Sequence, residues 1–238
     1  MEQFVGLIIS VNKYKDNNGV INILTENGIV SILGRGIYKD DNKNHIFTNK
    51  FIYANFDVYK GKVGGYKLRT AKIIKFYPSA IESYEYLLAL DYLSEVVYKT
   101  IDDVLADEDL DFKSKLLHTV IKTLDYMIET RRIYASLSYF SSTLIKELGI
   151  KPNLNKLENI ESQTYSFLNG SIVANTKKEN NDIVLSKENI NCINMYLCCD
   201  NIDEILIGET NSKFVFIFFN RQIESSFSIK LNSLNLIL

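Results

Sequence analysis

From Phe4 to Phe76, apolar and polar residues alternate in short runs broken by Asn, Gly and Lys, and beyond Pro78 the repeat lengthens to that of a helix. The period of two predicts strands at Phe4 to Asn12, Val20 to Leu24, Ile29 to Leu33, Phe51 to Tyr59 and Lys67 to Phe76. Asn18-Gly19 and Asn27-Gly28 tolerate the positive φ of tight turns, so the first three strands form a meander. Gly61, Gly64 and Gly65 join the last two without side-chain obstruction. Five strands in so short a stretch fit a closed barrel of the OB type better than an open sheet with two unpaired edges. Phe4 and Phe56 are its expected core aromatics, since alternation stops Phe51, Tyr53 and Phe56 from all facing one side.

After Pro78, Ser79 is positioned to cap a helix in which Tyr84, Leu87, Leu88, Tyr92 and Val96 recur at helical spacing. Further helices are expected at Phe112 to Thr130 and at Ile133 to Leu148, the latter stopped by Gly149 with Pro152 beyond it. A single hairpin follows, Tyr165 to Leu168 and Ser171 to Ala174, turning at Asn169-Gly170. Ser186 starts a helix through Cys199, Ile202 to Ile207 adds a short one, and Lys213 to Phe227 forms the last. Its stretch Phe214 to Phe219 must be buried, because six exposed apolar residues in a row would aggregate. The expected fold is therefore α+β: an N-terminal OB-fold β-barrel over residues 1–78, then an α-helical domain over 79–238 with a small β-hairpin lobe near 155–185.

The apolar share of 46% and charged share of 24% belong to an ordinary globular protein, so the whole chain is expected to fold. No run of eighteen uncharged apolar residues occurs, and Met1-Glu2-Gln3-Phe4-Val5 lacks the basic start of a secretory signal. A cytoplasmic protein with no membrane partner is expected. Cys192, Cys198 and Cys199 have neither disulfide-framework nor zinc spacing and read as small buried apolar side chains on a helix. The net charge of -2 hides an asymmetry: residues 1–80 carry twelve Lys and Arg against six Asp and Glu, and the remainder fifteen against twenty-three. One part of the chain suits a polyanion and the other repels it.

Candidate catalytic groups are sparse. His45 falls in a polar loop and His118 on a helix face beside Leu116 and Leu117, neither with a metal partner at ligand spacing. Phosphate-binding, dinucleotide, nucleophile-elbow and zincin motifs are absent from the sequence, and Asp40-Asp41, Asp102-Asp103 and Glu108-Asp109 read as solvated surface charge. The chain is thus expected to be a binding protein rather than an enzyme, without cofactor or metal. In the barrel section cations are interleaved with aromatics, the combination that holds single-stranded nucleic acid by phosphate neutralisation and base stacking. The loop residues Tyr14, Tyr38 and Tyr66, beside Lys15, Lys39 and Lys67, are candidate stacking platforms; Lys13, Arg35, Lys43 and Arg69 complete the candidate set. Gly34 to Asn44 leaves a strand through two glycines and carries three of those cations to the barrel rim. It encodes no defined groove for reading bases, so little sequence preference is expected.

Several segments, in order, resemble the bacterial recombination mediator family RecO. The strand Phe4 to Ser10, Tyr14, Leu24-Thr25-Glu26-Asn27-Gly28 and Gly34-Arg35-Gly36-Ile37-Tyr38-Lys39 look like that family's first strand, tyrosine, "LTxxxG" pair and Arg-Gly loop. Leu68-Arg69-Thr70-Ala71, the Tyr-rich helix Tyr84 to Tyr98, Leu148-Gly149-Ile150-Lys151-Pro152-Asn153-Leu154 and Leu231-Asn232-Ser233-Leu234 continue the match. Many members follow the "LGxxPxL" segment with a four-cysteine zinc site. Here Asn155 to Lys187 contains no cysteine, so no zinc is expected, and the lobe would be held by Tyr165, Phe167, Leu168 and Ile172. The resemblance implies binding of single- and double-stranded DNA, annealing of complementary strands, and action with RecR to load RecA onto strands coated by single-strand binding protein. It also implies that the helical domain binds the acidic tail of that coating protein, with the adjacent Arg131 and Arg132 as a candidate anchor. Composition alone leaves open an RNA-binding OB module with a helical docking domain, or a protein–protein adaptor.

Overall fold

In the computed structural model, which describes residues 2–61, 64–78, 83–101, 110–155, 162–173 and 181–237, the fold is α+β and opens with a closed five-stranded barrel of OB type. Its strands are β1 (Glu2–Tyr14), β2 (Asn18–Thr25), β3 (Gly28–Gly34), β4 (Ile52–Lys60) and β5 (Tyr66–Phe76), hydrogen-bonded in the order β1-β2-β3-β5-β4 and back to β1. Closure depends on the length of β1: residues 7–14 pair with β2 and residues 2–7 with β4. The ring is completed by a short parallel contact, Ile32 with Tyr66 and Leu33 with Lys67. The interior is aliphatic with two aromatics, Phe47 and Phe56, among Ile8, Ile21, Ile23, Ile32 and Ile52. Phe56 is fully buried as expected, and Phe4 packs half-buried against the same core.

The two Asn-Gly turns sit differently from expectation. The first hairpin turns at Lys15-Asp16-Asn17, with Lys15 and Asp16 at φ 40° and 49°, and Asn18 and Gly19 already belong to β2. Gly19 is there for space rather than for turning, because a Cβ on it would lie 2.6 Å from Cδ1 of Ile37. The second hairpin turns at Glu26-Asn27; Gly28, at φ 107°, is the first residue of β3, and its carbonyl accepts the Thr25 hydroxyl at 2.8 Å.

A bulge between Ile8 and Ser10 leaves the Ile9 carbonyl outside the ladder, where it accepts the Ser94 hydroxyl at 2.9 Å. Ser94 lies on α1 (Tyr84–Lys99), which Tyr98 ties to Ser10 at 2.6 Å and Asp91 ties to Lys50 at 2.7 Å. The buried side of α1 is Ala89, Leu90, Tyr92, Leu93, Val96 and Val97, so the expected stripe holds at Tyr92 and Val96. It fails at Tyr84 and Leu87, which are 71% and 40% exposed, and Ser83 rather than Ser79 precedes the helix; Ser79 lies outside the described residues, as do Lys62, Asp102-Asp103, Glu108-Asp109 and Ala174. The compact unit holding the barrel and α1 extends to His118, and the second unit starts at Thr119, so the division falls inside α2 (Leu110–Thr130).

The second unit contains α3 (Ile133–Glu147), β6 (Ser162–Ser166), β7 (Ser171–Val173), β8 (Ile183–Ser186), α4 (Lys187–Cys198), α5 (Glu209–Phe227) and a short α6 (Leu234–Ile237). A run of serines lets α3 and α5 approach closely: Ser136, Ser138, Ser141 and Ser142 are all buried, and Ser138 donates to the Ser212 carbonyl at 2.7 Å. The expected lone hairpin is a three-stranded sheet of order β7-β6-β8. Its third strand carries little local signal, being four residues long and ending on Ser186, which is also the cap of α4. Tyr165 and Phe167 hold this sheet by packing with Phe218 of α5, at ring separations of 4.9 and 5.4 Å, and Tyr165 donates its hydroxyl to Gln222. Leu168, assigned to the same packing, is 74% exposed instead, since it lies in the turn. Phe214 to Phe219 is buried or half-buried throughout, as expected. Of the cysteines only Cys192 is buried; Cys198 is exposed at the end of α4 and Cys199 half-buried after it.

Gly19→Ala is expected to lower the stability of the chain by about 1–3 kcal/mol through overpacking against Ile37. Urea unfolding checks this, and an unchanged midpoint would mean that Ile37 has room to give.

Candidate nucleic-acid interface

The residues singled out in the barrel come from three separate stretches, and strand register makes them neighbours. Tyr14 pairs with Asn18 across the first hairpin, Gly19 pairs with Gly34, and Leu33 pairs with Lys67. The end of β1, the start of the β3–β4 connection and the start of β5 therefore share one rim of the barrel. Two hydrogen bonds from backbone amides then lock the first two together. Asn18 Oδ1 accepts the Gly36 amide at 2.8 Å, and the Asn17 carbonyl accepts the Tyr38 amide at 3.0 Å. Beneath these bonds the Ile37 side chain is buried against Gly19 and Gly34, at either of which a Cβ would fall within 2.6 Å of it.

The connection from Gly34 to Asn44, expected as a polar loop, is a string of closed turns. Lys39 donates to the Gly36 carbonyl, Asn42 to that of Lys39 and His45 to that of Asn42, at 2.8 to 3.0 Å. Asn42 also uses its side-chain amide on the carbonyls of Arg35 and Gly36, at 3.1 and 2.8 Å, and His45 Nδ1 is bonded to the Ile37 carbonyl at 2.9 Å. Asn44 reaches the Arg69 carbonyl on β5 at 3.4 Å. A loop so satisfied loses little conformational freedom when a ligand settles on it. From the sequence Asn18 reads as a turn residue and Ile37 and Asn42 as members of the loop; Asn and Ile are common in this chain and only the fold shows what they hold.

On this scaffold Lys13, Lys15, Arg35, Lys39 and Lys43 are exposed, accompanied by the exposed acids Asp16, Asp40 and Asp41. Tyr14 is 45% exposed with Lys15 Nζ 5.4 Å from its ring centroid, while Tyr38 packs partly on the core with Lys13 Nζ 5.9 Å from its ring. Tyr66 is more engaged. Its ring meets Phe4 edge-on at 4.8 Å, and its hydroxyl donates to Glu2. Tyr66 and then Lys60, by hydrogen bonds, hold the Glu2 carboxyl below its ordinary range, so Lys60 is already paired, at 3.2 Å. Lys67 and the exposed Arg69 lie at the start of β5.

In the second unit the two arginines part company. Arg131, at φ 58°, is exposed. Arg132 spends its guanidinium inside the fold, donating to the Tyr126 hydroxyl at 2.8 Å, to the Ile205 carbonyl at 3.1 Å and to the Ile207 carbonyl. Glu209 complements it by accepting the amides of Tyr134 and Ala135 at 3.2 and 3.0 Å, which caps α3 from the first turn of α5. Burial raises the Glu209 carboxyl above its usual range, and those two amides and Arg132 oppose the rise. Among the described residues no group of three His, Cys, Asp or Glu is placed to hold a metal. No helix among them is long and apolar enough to cross a membrane. No protein-family model and no curated protein matches the chain.

Arg132→Ala strands the Ile205 and Ile207 carbonyls and is expected to cost about 1–3 kcal/mol. Arg131→Ala, at an exposed site, should change stability by less than about 0.5 kcal/mol, and paired thermal melts compare the two.

Proposed function

We propose that the barrel binds single-stranded nucleic acid with little sequence preference, using the rim formed by the first hairpin turn and the Gly34 to Asn44 turns. The observation that carries this reading is the pair of bonds from Gly36 to Asn18 and from Tyr38 to Asn17, which turn two cationic segments into one fixed surface. Lys13, Lys15, Arg35, Lys39 and Lys43 neutralise phosphates, and Tyr14 offers an open ring for a base. Tyr38 shares the rim with part of its ring in the core, while Tyr66 braces the mouth beside Lys67 and Arg69. Contacts of this kind recognise the backbone and the π-face that every base has, so affinity is governed by charge.

The fuller reading is a non-enzymatic, cytoplasmic DNA-annealing and recombination mediator of the RecO kind, needing no cofactor. Two things support it: the order of motifs along the sequence, and an architecture of barrel, helices and small sheet in that same order. Two strands lying on a positive surface repel each other less and can pair, whereas base-specific contacts would hinder pairing. In this reading RecR and the acidic tail of single-strand binding protein are the protein partners, RecA is served indirectly, and Arg131 is the arginine of the pair left to meet a carboxylate.

Arg35→Glu combined with Lys39→Glu should weaken binding to all single strands alike and lower the salt slope by about 1.4, two contacts at ~0.7 each. Salt titrations on matched DNA and RNA strands check it. An unchanged slope removes the rim from the site, and a clear preference for RNA replaces the recombination reading with an RNA-binding one.

A further inference from the structure

OB barrels commonly bind strands on the outer face of β2 and β3. In this barrel neither strand contains a charged or aromatic residue. Their outer face carries a ladder of polar side chains bonded to one another: Ser31 donates to Asn22 at 2.6 Å, Asn22 to Ser10 at 2.9 Å, and Ser10 is bonded to Tyr98 of α1. A phosphate backbone finds no counter-charge there.

The opposite wall is different. β5 reads Tyr-Lys-Leu-Arg-Thr-Ala-Lys-Ile-Ile-Lys-Phe, with four cations and no acid. The residues of β4 that face the core are Ile52, Ala54, Phe56 and Val58, which leaves Tyr53, Asn55, Asp57 and Tyr59 outward. Register sets these beside the β5 cations, Tyr59 with Lys67, Asn55 with Lys72 and Tyr53 with Lys75. Two irregularities keep the cations on that side. Arg69 and Ile74 have no partner residue on β4, so each adds one residue to β5 and restores the outward phase for the next lysine. Tyr59 is 43% exposed and Ile74 55%, and the one acid of the wall, Asp57, accepts from Gln3 at 2.7 Å. The row begins at Lys67, next to the rim through Leu33, and ends at Lys75, whose ammonium lies 5.5 Å from the Tyr77 ring centroid.

We propose that a nucleic-acid strand bound at the rim continues down the outer wall of β4 and β5, with Lys67, Arg69 and Lys72 along its phosphates and Tyr59 against a base, and that the β2–β3 face is unused. This rests on the nucleic-acid reading above. From Lys67 to Lys75 the wall extends roughly 20–26 Å at about 3.3 Å per residue, enough for several nucleotides of the ~4–16 that an OB barrel covers.

The test uses the full chain and a fluorescent mixed-sequence single strand of ~20 nucleotides, long enough to cover rim and wall. Three variants are compared by salt titration after thermal melts show them folded: Lys67→Glu with Lys72→Glu on the wall, Ser31→Glu on the β2–β3 face, and the rim pair described above. The wall variant is expected to bind about tenfold or more weakly at 0.1 M salt, with a slope lower by ~1.4, and Ser31→Glu to bind as the parent does. Photo-crosslinking of a halogenated-uracil strand should mark Tyr59. Parent-like binding by the wall variant, or a larger loss from Ser31→Glu, overturns the proposal. A wall variant that loses binding while the rim variant keeps it leaves the wall standing and removes the rim; a parent that binds no strand removes the nucleic-acid reading itself.

Discussion

The arrangement of the barrel depends on one contact, the Ile37 side chain set against two residues that lack one. Gly19 and Gly34 face each other across β2 and β3, and either bearing a methyl would collide with Ile37. Because Ile37 is buried there, its flanking amides come within reach of Asn17 and Asn18, and the chain from Gly34 to Asn44 folds back on itself rather than swinging free. A hydrophobic contact of ordinary size thus decides where five cations stand. Burying one isoleucine is worth on the order of 2 kcal/mol, comparable with what several exposed hydrogen bonds contribute together.

Charge and packing are divided between different parts of the barrel. β2 and β3 supply an uncharged wall braced by α1, and the cations gather on the rim and on β5. This division lets the same small fold be tightly closed and strongly charged without burying a charge, which would require a partner for each. The second unit follows another logic. Several of its buried polar groups meet partners inside the fold: Arg132 the carbonyls before α5, Glu209 the amides of α3, and Ser138 the carbonyl of Ser212. Such matched networks fix the relative placement of helices, because a shifted helix would leave several buried groups unpaired at once.

The local pattern was enough to locate most elements. Five strands with period two and the helices containing Tyr92, Val120, Ile145 and Phe216 follow from side-chain spacing, because a face that must be buried repeats at the pitch of its backbone. The charge split between the barrel section and the rest is likewise a property of the chain itself. At three places where expectation and fold diverge, a distant residue is the cause. Asn18-Gly19 looks like a turn and is not one, since Ile37 claims the space; Tyr66 looks like an open ring and is braced by Phe4 and Glu2. Arg131 and Arg132 look like a pair, and Ile205 and Ile207 take one of them.

Sequence by itself determined the fold class, the barrel and the gathering of positive charge in its section, since these depend on composition and on neighbours within a few residues. Tertiary structure alone decided which cations share a surface. The short parallel contact between β3 and β5 joins Lys67 to the loop of Arg35 across more than thirty residues of chain, and the irregularities in β5 choose the side on which Lys72 and Lys75 stand. Such pairings rest on strand register, which no local pattern specifies, because register is settled by the whole ring closing at once.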